Sequence, residues 1–334
     1  MDISNRKLYS HFSIFHIFKK HIFELLFPSI FSIIYRAMLK KFVLCCILVF
    51  LFNSCNNKKE LVHNGFTLKD DLGTKHSFKE VPQRIITLAP NLTEMIYDLG
   101  FEEKLIGNTL YCDYPEAAKK IEKVGNLLTV NFEKIVTLKP DLVLITVEGN
   151  TKETYDKFHQ LGIKIFVSNP RNYEGIKKTY SDLGKLFQIG EMANRKIAKW
   201  DSTIARISSL AKSYNQKSAM FVIDLKPLIL AGKNTFLNEV LQICGLKNIA
   251  EDSHVNYPMF SREEILKRDP DYIIYPTGGD DNISNIKNAY PEWIQVKAVK
   301  NKNVFFVDWN LFSRPGPRFT EAVNDLFTRL HPLQ

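Results

Sequence analysis

Residues 131–146 read NFEKIVTLKPDLVLIT and residues 261–276 read SREEILKRDPDYIIYP, in step at an offset of 130. Glu, Ile, Pro and Asp coincide at Glu133/Glu263, Ile135/Ile265, Pro140/Pro270 and Asp141/Asp271. Each copy opens on a residue suited to cap a helix, Asn131 or Ser261. Each then breaks at proline, which cannot continue a helix, and leads into a short apolar run of strand type. A helix-turn-strand written twice calls for two α/β units in one chain.

The rest of the pattern agrees. RIITLAP, KLIGNT, DLVLIT and KIFVSN read as buried strands, separated by the helices NLTEMIYDLG, NFEKIVTL and TKETYDKFHQLG. Asn91 or Thr93 would cap the first helix and Gly100 would close it. Short apolar strands alternating with helices predict a parallel sheet covered on both faces. From Tyr173 to Tyr214 strand signals vanish. Ile197, Trp200, Ile204, Ile207 and Leu210 there follow the spacing of an amphipathic helix. At ~1.5 Å per residue such a helix spans roughly 35 Å, enough to join two lobes. A second α/β block follows, with SAMFVIDL, PLILAG, DYIIYP and NVFFVDW as strands and RFTEAVNDLFTRL as a closing helix. The predicted fold is α/β: two similar lobes with mostly parallel central sheets, joined by one long rigid helix. The lobes are placed at residues 83–172 and 216–334, the helical linker at 173–215, and a polar tether with a small hairpin turning at Gly73 at 55–82.

The front of the chain reads as a targeting segment. MLKKFVLCCILVFLFNSC has a Lys40–Lys41 start and an apolar core from Phe42 to Phe52. That core is shorter than the roughly 20 apolar residues a membrane span needs but suits a signal peptide. It ends at Asn53-Ser54-Cys55, which resembles a bacterial lipobox, so residues 38–54 are expected to be cleaved and Cys55 to be lipidated. Residues 1–37 either precede the true start at Met38 or form a further membrane-associated stretch. Of the 45 basic and 36 acidic residues, seven and two lie in residues 1–54, which leaves a net of +4. So small a charge gives no reason to expect nucleic acid. Behind Cys55 only Cys112 and Cys244 remain, in different lobes, so no disulfide is favoured and no zinc spacing exists.

Enzyme signatures are missing: no nucleophile elbow, no phosphate loop and no dinucleotide fingerprint occur. His63, His76, His159, His254 and His331 are scattered without metal-ligand spacing. What stands out is aromatic and polar residues on segments that follow predicted strands. Pro90 and Asn91 follow the first, Tyr111 and Tyr114 the second, and Trp309, Phe312, Arg314 and Arg318 the last, while Tyr257 precedes the second repeated helix. Ligands of open α/β sheets bind at the carboxyl ends of strands, so these segments predict an aromatic-lined cleft for a large, partly apolar ligand. Glu133 and Glu263 could simply stabilise helix starts, and Ser261 with Glu264 matches a capping box. One exposed acid per lobe at equivalent positions also suits docking onto a partner with two basic patches.

From about Arg84 to Leu330 the chain resembles substrate-binding proteins of ABC importers, in the class whose two lobes are joined by a single rigid helix. That class carries cobalamin, haem and ferric siderophores. The resemblance rests on RIITLAPNLTE, DYPEAA, NFEKIVTLKPDLVL, YPMFSREEILKRDPDYII and DWNLFSRPGPR, and is closest to the cobalamin-binding branch. It implies ligand-facing roles for Tyr111, Tyr114, Tyr257, Trp309 and Arg314, alongside Pro90 and Asn91. It implies that Glu133 and Glu263 dock onto arginines of a permease dimer served by ATPase subunits. Asn126 stands where the cobalamin branch places an aromatic and haem-binding relatives an iron-ligating tyrosine. This counts against haem and leaves a ferric siderophore as the alternative ligand. The expectation is a monomeric, lipid-anchored periplasmic protein that carries a metal chelate and has no cofactor of its own. A two-lobed enzyme and a scaffolding lipoprotein are the rival readings.

Overall fold

The computed structural model describes residues 65–126, 129–279 and 283–332; the segments expected from the sequence to be a signal peptide and tether, with Cys55, lie outside the described residues. A hairpin of β1 (Phe66–Lys69) and β2 (Lys75–Phe78) comes first, turning through Gly73 at φ +85°. The N-terminal lobe then runs β3 (Ile85–Thr87), α1 (Pro90–Leu99), β4 (Leu105–Asn108), α2 (Phe132–Leu138), β5 (Leu142–Thr146), α3 (Lys152–Gln160) and β6 (Ile165–Ser168). Its sheet has the order β4-β3-β5-β6 with every pairing parallel. The hairpin fastens beyond β6, where the Asp71 carboxylate accepts from Asn169 N at 2.6 Å.

Two helices follow, α4 (Tyr173–Leu186) and α5 (Gly190–Ala211). The linker is thus a helix pair, and α5, with 22 residues, is the long one, spanning about 33 Å. The C-terminal lobe contains β7 (Lys217–Leu225), β8 (Leu228–Leu230), α6 (Phe236–Ile243), β9 (Leu246–Asn248), α7 (Arg262–Arg268), β10 (Tyr272–Thr277), α8 (Ile283–Ala289), α9 (Lys297–Lys300), β11 (Val304–Asp308), α10 (Trp309–Phe312) and α11 (Phe319–Leu330). Its order is β11-β10-β7-β8, with β9 beside the first part of β7, and β8 is antiparallel to its neighbour.

Alternation along the strands explains how the lobes combine. Successive strand side chains point to opposite faces. In the N-terminal sheet Ile85, Leu142, Leu144 and Phe166 face one way, and Ile86, Val143, Ile145 and Val167 the other. In the C-terminal sheet Ala219, Phe221 and Ile274 share the first set's cluster, whereas Met220, Val222 and Ile273 belong to an outer core. One continuous apolar core therefore runs from sheet to sheet through Tyr180, Trp200, Ile207, Phe236 and Phe319. Helix α5 packs against α4 on one side and α6 and α11 on the other.

The repeated motif has the same construction twice. Asn131 accepts from Lys134 N at 2.9 Å and Ser261 Oγ from Glu264 N at 3.1 Å, each capping its helix. The helices end on Lys139 and Asp269, both left-handed at φ 49° and 43°. The repeated aspartate then grips the neighbouring strand. Asp141 accepts from Gln83 N and Arg84 N just before β3, and Asp271 accepts from Ser218 N and Oγ on β7. The repeat is a register lock between adjacent parallel strands. Two sequence expectations change here. Helix α1 begins at Pro90 with Ala89 as a cap that supplies no side-chain bond, because Asn91 and Thr93 are both engaged elsewhere. Glu264 closes no capping box, since its carboxylate accepts from Arg268 Nε at 2.7 Å.

Burial opposes the charge of Asp271, but its bonds from Ser218 outweigh that and hold the carboxyl below its ordinary 3.8. Such a group stabilises the fold above its unfolded pKa and loses that contribution as pH falls through the folded one. Asp271→Ala should therefore cost about 1–3 kcal/mol at neutral pH. In urea titrations the gap to the parent protein should close as the pH drops below 3.8.

Candidate functional site

The carboxyl ends of β3, β4, β5 and β6 deliver Ala89–Asn91, the Thr109–Pro115 loop, Thr146–Asn150 and Asn169–Pro170 to one side of the N-terminal lobe. Across from them stand the Tyr257 loop and the segment Trp309–Pro315 of the C-terminal lobe. Between these walls lie two adjoining hollows that share Pro90, Asn91, Glu148, Gly149, Ser313 and Pro315. The larger, of about 780 Å³, is bordered by Leu110, Tyr111, Asp113, Asn126, Trp309, Asn310 and Arg314. The smaller, of about 170 Å³, is bordered by Thr146, Asn169, Phe236 and Tyr257.

The two walls are tied together at their base. Glu94 of α1, with its side chain 1% exposed, receives Arg314 Nη1 at 3.1 Å and Arg318 Nε and Nη2 at 2.9 and 2.6 Å. Arg314 also donates to the Tyr111 carbonyl and to Asn310 Oδ1, at 3.1 and 2.6 Å. Its Nη2 forms an ion pair with Asp113 at 2.6 Å, off the direction of a hydrogen bond. Burial works against the Arg318 charge, yet the bonds and charge of Glu94 prevail and hold the guanidinium above its ordinary pKa. Asn91 Nδ2 adds a bond to the Pro315 carbonyl at 3.0 Å, and a Cβ on Gly316 would sit 3.3 Å from that of Asn91.

The expected site residues fall into three groups. Pro90, Asn91, Tyr111, Tyr257 and Trp309 border the hollows, with Tyr111 and Trp309 56% and 44% exposed. Trp309 lies on a helical turn rather than a loop, because Asp308 accepts from Leu311 N at 2.7 Å and caps α10. Arg314 also borders the larger hollow, but its guanidinium is engaged by Glu94, Asp113, Asn310 and Tyr111. Tyr114 stands outside both linings, its ring carrying the Arg318 guanidinium 3.8 Å from the centroid. Glu133 and Glu263 are exposed in the first turns of α2 and α7. Cys112 and Cys244 are free and buried.

Residues 85–311 match the model of the periplasmic binding protein family. The chain belongs to that family. It is a non-enzymatic binding protein of transport. It is 33% identical over 256 residues to a vitamin B12-binding protein of Photorhabdus laumondii, a match covering 77% of this chain and 90% of that one. Among solved structures, the periplasmic vitamin B12 binding protein BtuF of Vibrio cholerae is 29% identical with a TM-score of 0.64, over 76% of this chain and 99% of that one. A possible iron-binding periplasmic solute-binding protein from Staphylococcus epidermidis is 27% identical with a TM-score of 0.66, over 75% and 100%.

Sequence reasoning missed Glu94 and Glu148 as parts of the site, and named Arg318 only among the polar residues after the last strand. A signal for Glu94 existed, since it is a charged residue set among Leu92, Met95 and Ile96 on a buried helix face. Its two partners lie 220 and 224 residues away, and nothing local announces them. Glu94→Ala in this binding protein would leave two buried guanidiniums short of their shared counter-charge, a change that typically costs about 3–5 kcal/mol. A urea midpoint that falls accordingly at constant m-value would bear this out, and an unchanged midpoint would not.

Proposed function

We propose that this protein captures cobalamin or a related corrinoid between its lobes and hands it to an ABC permease. The observation that carries this reading is the interlobe cavity of about 780 Å³ bordered by Tyr111 and Trp309, both exposed. A space of that size, with two aromatic residues set among polar side chains, suits a large, partly apolar ligand that carries polar groups at its edge. The relatives named for vitamin B12 support the same choice. A ferric siderophore is the second reading, kept because the Staphylococcus epidermidis protein superposes as closely as the cobalamin-binding one.

In this reading no bond is made or broken, and the metal arrives with the ligand. Tyr111 and Trp309 stack on it and Tyr257 borders the inner recess. Arg314 borders the cavity and holds the wall that carries Tyr111. The loaded protein, lipid-anchored through Cys55 in the periplasm, docks as a monomer through Glu133 and Glu263. Backbone and Ser261 hydrogen bonds keep the Glu263 carboxyl below its ordinary pKa, so it presents a charge at any physiological pH. ATP hydrolysis on the partner drives release.

Cobalamin mixed with the purified protein and desalted should co-elute at about one per chain, read by its visible absorption. Trp309→Ala should weaken that binding by about tenfold or more, as loss of a stacked hot-spot aromatic does. If only a ferric siderophore co-elutes, the corrinoid reading fails and the transport reading stands. Glu133→Ala and Glu263→Ala should leave the ligand Kd unchanged and lower uptake by cells. A shift in ligand Kd instead would remove the docking role from these residues.

A further inference from the structure

We propose that the cleft sorts metal chelates by the charge of their edges, and that Glu148 is the residue that favours carboxamide edges over carboxylate edges. The inference rests on the corrinoid reading above and deepens it. Asp113, Glu148 and Arg314 are the charged groups that border the two hollows among the described residues. The one cation of that set, Arg314, is 7% exposed and bound by Glu94, Asp113, Asn310 Oδ1 and the Tyr111 carbonyl. An anionic ligand entering the cleft therefore meets the carboxylates of Asp113 and Glu148, each held by an arginine, and no lining cation that is unengaged.

Glu148 is the charge that borders both hollows. It lies just beyond β5, at the neck between the large cavity and the small recess. Its Oε1 accepts from Arg171 Nε at 2.7 Å, so the guanidinium orients the carboxylate. Arg171 is not part of either lining. Around the recess the other polar side chains are uncharged: Asn91, Thr146, Asn169, Tyr257 and Ser313. Asn169 Oδ1 is buried with no hydrogen-bond partner among the described residues. The Tyr257 phenol is pushed up to about 12, by burial first and then by the Glu148 charge, against the pull of Arg171. It stays neutral and adds no second anion.

An amide N–H at this neck can donate to a carboxylate, a charge-assisted bond about twice as strong as a neutral one. A ligand carboxylate at the same place would repel it. Specificity built from such a repulsive element needs no extra contact with the preferred ligand.

The test compares two probes with one ring system, dicyanocobinamide with its carboxamide edge and dicyanocobyrinic acid with its carboxylates free. Each is titrated into the purified protein at neutral pH and followed by absorption. The parent protein should prefer the amide by about 30-fold or more at low salt, and the ratio should shrink at 1 M salt, where the Debye length is ~3 Å. Glu148→Gln removes the anion and releases Arg171. It should narrow the ratio by about tenfold, chiefly by tightening the acid. Arg171→Gln should widen it. Glu148 is exposed and Arg171 half-buried, and neither substitution should disturb the fold. Equal binding of the two probes by the parent protein, or a ratio indifferent to Glu148→Gln, overturns the proposal while leaving the corrinoid reading intact. Failure of both probes to bind removes the corrinoid reading and this proposal with it.

Discussion

The cleft exists in its present shape because one buried carboxylate holds two guanidiniums from the opposite lobe. Glu94 comes from the first helix after the first core strand, Arg314 and Arg318 from the segment after the last one. Three charges withdrawn from water are tolerable only if each finds partners with good geometry. Here they do, and the requirement fixes the Tyr111 loop and the Trp309 turn at once. Arg314 binds the carbonyl of Tyr111 and the side chain of Asn310, and Arg318 lies on the ring of Tyr114. The ion cluster is the base on which the segments carrying Tyr111 and Trp309 are mounted.

A second constraint acts behind the cleft. The inner faces of both sheets and the helices between them form one apolar core, with Tyr173 of α4 stacked on Phe319 of α11 at 4.9 Å. The Tyr173 amide donates to Glu239 of α6, and its hydroxyl to Asp201 of α5 at 3.0 Å. Packed interiors do not deform continuously. Wide opening of the lobes would have to break both this core and the Glu94 cluster, so ligand exchange through local motion of the cleft segments is the less costly route.

Fold and ligand choice are separable in this molecule. Backbones named for vitamin B12 and for iron superpose on it almost equally, with TM-scores of 0.64 and 0.66. Function resides in the lining. Here that lining offers two exposed aromatic faces and an engaged arginine, and it exposes Glu148 at the junction of the hollows. Fixing Arg314 in the wall, rather than presenting it, shapes the electrostatic character of the cavity.

Much was legible in the chain itself. The repeat at an offset of 130 announced two α/β units, and period-2 and period-3.6 patterns gave the parallel strands and the 22-residue helix. Those signals are local, because they depend on spacing within one element. The aromatics at strand ends were also visible, since chain order alone puts them at one edge of a sheet. What the sequence could not show is which polar groups end up opposite each other. Arg314 is bound across 220 residues to Glu94, and the ring of Tyr114 carries Arg318. Glu148 drew no notice until β5 carried it to the neck of the cleft. Pairing of charges across a cleft is set by tertiary distance and by the cost of burying an unpaired ion, and neither is written in any single stretch of sequence.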